Sequence, residues 1–66
     1  MTLEEIRKKK EIGLTDASKK IGVTKTYLYL VEKGQRVPSD KIKMKMAKVY
    51  GVSPTTIFLA TQLTQS

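Results

Sequence analysis

The chain has 66 residues, room for one domain (1–66) with a thin core, because a body of that size buries only about 60% of the surface its unfolded chain exposes. With neither cysteine nor histidine it has no disulfide and none of the usual zinc ligand sets, so packing alone, or packing plus a second subunit, must hold it together. Thirteen Lys and Arg against six Asp and Glu leave a net charge of +7, a surplus that points to a polyanionic partner, nucleic acid ahead of an anionic membrane.

No apolar run approaches the roughly 18 residues of a membrane span, and the first ten residues contain no signal-peptide core, so a cytoplasmic location without membrane attachment is expected. Glycine and proline recur at the spacing of one short helix, which divides the chain into five helices and no strand. The first opens at Thr2, with Glu5 three residues on in capping-box register, places Leu3, Ile6 and Lys10 on one face, and closes at Ile12 before Gly13. The second starts at Leu14 or at Asp16, with Gly13 or Thr15 as N-cap, turns Ala17, Ser18 and Ile21 inward and stops at Gly22.

Thr24 caps a third helix that reaches Lys33 and ends at Gly34, with Leu28 and Val31 on its inner face. Ser39 caps a fourth helix through Tyr50, whose stripe is Ile42, Met46, Val49 and Tyr50; Met44 and Met46 read as core and gap-filling side chains. Ser53 and Pro54 begin a fifth, with Ile57, Phe58 and Leu59 as its apolar content, and the polar tail 61–66 is expected to fray. The lysines at 8, 9 and 10 read as a solvated helix surface, as do those of the fourth helix, although Lys41 lies near that helix's start. Glu4 and Glu5 read as a solvated charge and a cap. No nucleophile, base and orienting group can be assembled, and no glycine loop is available to cradle a phosphate, so neither catalysis nor a cofactor is expected.

The segment from Leu14 to Lys33 is two short helices joined through Ile21-Gly22-Val23-Thr24, with small Ser18 at the crossing and Val23, Leu28 and Val31 facing the core. That is the arrangement that sets the start of one helix free to enter a major groove. With Ile6-Arg7, Tyr27-Leu28, Val31-Glu32-Lys33-Gly34, Pro38-Ser39, Ala47 and Gly51-Val52-Ser53 at matching spacings, the chain resembles the phage-repressor/Cro (XRE-type) helix-turn-helix regulators, without gaps from Leu3 to Phe58.

The resemblance implies an all-α, compact five-helix, lambda-repressor-like DNA-binding domain with its helix-turn-helix in helices two and three. It implies a partner, a double-stranded DNA operator bound as a homodimer, with repression the commonest outcome. By position in the family, Thr24, Lys25, Thr26, Tyr29 and Leu30 face base edges, and Thr15, Tyr27, Lys33, Gln35 and Arg36 meet phosphates, helped by Lys19 and Lys20. Arg7 and Glu32 correspond to an ion pair between the first and third helices, and Phe58, Leu59 and Leu63 are candidates for the subunit contact.

The chain departs from the family in two places. Gly13 and Leu14 stand where relatives carry serine and glutamine, which removes a side-chain phosphate contact, and Asp40 and Lys43 stand at usually apolar positions. The first departure, with the apolar pair Tyr29-Leu30, keeps open a different partner: a protein, bound by a helix-turn-helix acting as a repressor modulator or an antitoxin.

Overall fold

The computed structural model describes the backbone of residues 1–65 and the side chains of residues 1–63. These form α1 (Leu3–Lys9), α2 (Leu14–Ile21), α3 (Lys25–Glu32), α4 (Asp40–Tyr50) and α5 (Pro54–Gln65), with no strand among the described residues. None of these helices is long and apolar enough to cross a membrane.

Four of the five helices start where a side chain satisfies a free amide. Thr2 accepts from the Glu5 amide at 3.2 Å while Glu5 accepts from the Thr2 amide at 2.8 Å, the reciprocal capping box. Thr24 caps α3 through the Tyr27 amide at 3.0 Å, Ser39 caps α4 through Ile42 at 3.2 Å, and Ser53 accepts from Thr56 at 3.3 Å. Helix α2 differs: Gly13 is its N-cap and supplies no side-chain hydrogen bond.

The helix ends share one device. In α1, α2, α3 and α4 the chain turns left-handed just past the helix, and the next amide reaches back to a carbonyl in the last turn, as Val23 does to Ser18 at 3.0 Å and Val52 to Ala47 at 3.0 Å. Gly22 (φ 92°), Gly34 (φ 76°) and Gly51 (φ 68°) take the left-handed position in α2, α3 and α4. In α1 that position is held by Glu11 at φ 58°, with the Ile12 amide bonded to the Arg7 carbonyl at 3.3 Å. The first helix therefore ends at Lys9 and not at Ile12, because the stop falls on a residue that carries no glycine signal; Lys10 is its exposed C-cap. A side chain in this conformation costs about 1–2 kcal/mol, and a carboxylate there also opposes the negative end of the helix dipole. Glu11→Gly is expected to stabilise the fold by about 1 kcal/mol, raising Tm by about 4–8 °C for a domain this small. An unchanged or lower Tm would show that the Glu11 side chain compensates the strain.

Packing joins α4 to α5 and to α2, α2 to α3, and α1 to α5. Every helix feeds the core: Leu3 and Ile6, Ala17 and Ile21, Leu28 and Val31, then Met46, Ala47 and Tyr50, and lastly Ile57 and Ala60. Two expectations from the sequence are corrected. Met44 is 53% exposed on the outer side of α4 and takes no part in the core. Helical backbone also continues through the expected tail as far as Gln65, since Ala60 and Thr61 are buried and the Thr61 hydroxyl donates to the Ile57 carbonyl at 2.8 Å; Ser66 lies outside the described residues. Lys43 occupies its usually apolar position by reaching over the Phe58 ring, its ammonium 4.8 Å from the centroid in a cation–π contact and 3.8 Å from Asp40.

Candidate nucleic-acid interface

Gly22 supplies the left-handed turn, and only the two residues Val23 and Thr24 follow before α3 begins. Ser18 is buried, its hydroxyl donating to the Thr15 carbonyl at 2.8 Å, so the helix pair closes without an orphaned polar group. Leu28 and Val31 bury one side of α3, leaving Lys25, Thr26 and Tyr29 on the other, with Tyr29 49% exposed.

These three side chains and Leu14 line one cleft, formed where the starts of α2 and α3 come together. Thr15 is exposed in the first turn of α2, beside amides that no side chain caps. Thr24 is exposed at the head of α3, its oxygen already engaged in capping, which leaves its hydroxyl proton free to donate. Leu30 is half-buried and lines no part of the cleft. Tyr27 is half-buried with the Arg36 guanidinium 5.5 Å from its ring centroid, and Gln35 is exposed in the loop that follows.

Lys33 is held in place by two neighbours. Its Nζ lies 5.5 Å from the Tyr29 centroid and 3.8 Å from Glu4 Oε1, while Glu4 also meets Lys8 at 3.3 Å. Glu4 is thus more than a solvated charge: the hydrogen bond from Lys8, and then the charge of Lys33, hold its carboxyl below the ordinary range. The pairs are well exposed, so their effect is to orient Lys33 rather than to stabilise the fold. Nothing in the linear pattern links Glu4 to Lys33, which meet only because α1 lies alongside the end of α3. Lys20 lines a separate hollow with Lys45, Lys48 and Val49.

Beneath the surface, Arg7 grips Glu32 with both arms of its fork, Nε to Oε2 at 2.7 Å and Nη2 to Oε1 at 3.2 Å, and its Nη1 donates to the Ile12 carbonyl at 2.9 Å. The side chains are 9% and 3% exposed. Hydrogen bonding to Glu32 raises the Arg7 pKa further, so the guanidinium stays charged, and the pair ties α1, the α1–α2 loop and α3 into one body.

Residues 3–57 match the helix-turn-helix family. The chain is 41% identical over 44 residues, covering 67% of each protein, to an uncharacterized HTH-type transcriptional regulator of Methanocaldococcus jannaschii. No solved structure matches it. The chain belongs to the XRE-type helix-turn-helix family, a family of DNA-binding transcriptional regulators.

Proposed function

We propose that the protein recognises a double-stranded DNA operator by inserting residues 24–33 into the major groove and represses transcription by occupying that site. The observation that carries this reading is the cleft of Lys25, Thr26 and Tyr29 beside the uncapped start of α2, on a chain of net charge +7. In this pose Lys25 donates to guanine O6 and N7, Thr24 and Thr26 reach neighbouring base edges, and Tyr29 and Leu30 offer apolar contact to a thymine methyl group. Thr15 and the free amides of α2 meet one phosphate, and Tyr27, Lys33, Gln35 and Arg36 follow the backbone. Leu14, which cannot bond a phosphate, shifts this grip from α2 toward α3 and the loop after it.

A body of 25 × 23 × 21 Å fits within one turn of the duplex, so two copies can occupy half-sites about 34–36 Å apart. Leu59 and Leu63, four residues apart on α5 and 56% and 55% exposed, together with Phe58 at 36%, provide the apolar face for that homodimer.

Selection from random duplex DNA tests the reading, with recovery of an inverted repeat as the expected result. On the selected site, log K is expected to fall with log salt at a slope of about −0.9 per phosphate contact. Lys25→Ala is expected to weaken binding by about 1–3 kcal/mol and to relax one base position, whereas Lys33→Ala weakens all sequences alike and lowers the slope by about 1. Leu14 and Tyr29 in the cleft favour a second reading, in which this face binds a protein as a repressor modulator or antitoxin. Absence of any enriched sequence would support that reading and sink the operator.

A further inference from the structure

The outer side of α4 carries a surface whose lining includes no residue of α2 or α3. Lys41, Met44, Lys45 and Lys48 stand three, four and seven residues apart along α4 and, with Val52 and Pro54, line an open groove of about 560 Å³. Met44 is 53% exposed in it, although Met46 two residues on is fully buried. The groove therefore has an apolar floor and a basic rim. None of the three lysines pairs with a carboxylate among the described residues, and the groove shares no residue with the cleft of Leu14, Lys25, Thr26 and Tyr29.

Charge selects the occupant. A second copy would bring no acidic face to meet the lysines: Glu4 already meets Lys8 and Lys33, Glu5 is held in the capping box, Glu32 is buried, and Asp40 pairs with Lys43, which leaves Glu11 past the end of α1 and Asp16 on α2. A nucleic acid would satisfy the lysines but set phosphates against Met44, Val52 and Pro54, and the groove offers no aromatic ring on which a base could stack. An amphipathic helix with acidic flanks answers both parts of the surface at once. We propose that this groove docks an acidic amphipathic helix of a partner protein, its apolar stripe on Met44 and Val52 and its carboxylates against Lys41, Lys45 and Lys48. Lys41 to Lys48 spans about 10 Å, two helical turns, so the contact is short and the binding moderate. Because the groove and the cleft are separate, the partner can be held while the cleft is occupied.

The test is a nuclear magnetic resonance titration of the isotope-labelled full chain with a synthetic helical peptide carrying a leucine stripe flanked by glutamates. Two control peptides are needed, one with the same composition but the stripe broken and one flanked by lysines, together with random-sequence duplex DNA. The expected result is saturable shifts centred on residues 41–54, binding at least about tenfold tighter than either control peptide, and at least about tenfold weaker binding by Met44→Glu. Met44 is exposed, so that variant is expected to keep its helical melting curve; should it unfold, Lys45→Glu with Lys48→Glu provides the second variant. Equal affinity for the broken-stripe peptide, or peptide shifts that map elsewhere, would overturn the proposal. Shifts at 41–54 produced by DNA would assign the groove to nucleic acid instead, and concentration-dependent shifts there without peptide would assign it to a second copy.

Discussion

Arg7→Ala is expected to lower the unfolding free energy by about 3–5 kcal/mol, because it leaves the Glu32 carboxylate buried without a counter-charge. A domain of this length holds roughly 3–10 kcal/mol in total, so the variant should be partly unfolded at room temperature. The loss has a second component: the Ile12 carbonyl forfeits its donor at 2.9 Å, and with it the tie between the end of α1 and the start of α2. Glu32→Ala should cost about as much, by stranding the guanidinium instead. Replacing both partners with apolar residues, Arg7→Met with Glu32→Leu, should recover most of the loss, leaving the Ile12 carbonyl as the residual cost. Urea unfolding followed by helical circular dichroism measures all four proteins. A double variant that recovers nothing relative to the two single variants would show that the pair is not coupled and that each side chain acts through packing alone. Since Glu32 is the last residue of α3, the same variants should loosen the helix proposed to read DNA, and binding should fall further than the folded fraction alone requires.

Much of this architecture is legible because local chemistry agrees with the fold. Thr2, Thr24, Ser39 and Ser53 announce helix starts, Gly22, Gly34 and Gly51 announce stops, and the spacing of Ala17, Ser18 and Ile21 gives the inner face of α2. The signal fails where one residue does a job usually left to another. Glu11 takes a glycine's place, so the end of α1 is displaced, and Lys43 covers Phe58 where an apolar side chain is usual. Met44 reads as core by residue type, yet it is left outside because α5 and α2 cover other faces of α4. Ala60 and Thr61 are poor hydrophobic signals, but both are buried, which is why the length of α5 is hidden in its sequence. At the site, the exposed face of α3 follows from its period. The Glu4–Lys33 contact and the α4 groove do not, because each depends on how helices that are distant in sequence come to lie together.

Tyr50 separates packing from polarity in the core, and its variants are expected to move stability in opposite directions. The side chain is 2% exposed, and its hydroxyl has no hydrogen-bond partner among the described residues. Tyr50→Ala removes a buried ring and should cost about 3–5 kcal/mol. Tyr50→Phe keeps the ring and discards only the unpaired hydroxyl, so at neutral pH it should be as stable as the native chain or better by about 1 kcal/mol. The difference should widen in alkali. Burial first, then the nearby Glu32 carboxylate, pushes the Tyr50 pKa well above its ordinary value, while Arg7 only partly offsets them. The neutral phenol is the form the fold accepts, so its contribution is fully present below the unfolded pKa of about 10 and is lost as pH rises above that toward the folded value. Native protein should therefore lose stability relative to Tyr50→Phe from about pH 10 upward, a difference that cancels the titration of the lysines common to both. Urea midpoints at neutral and alkaline pH give the comparison. A Tyr50→Phe variant clearly weaker at neutral pH would reveal a bound partner for the hydroxyl, and parallel alkaline curves would mean that Tyr50 ionises in place. Because Tyr50 feels both members of the Arg7–Glu32 pair, Tyr50→Phe and Arg7→Ala should not combine additively, and the size of that deviation measures how far α4 shares in the link between α1 and α3.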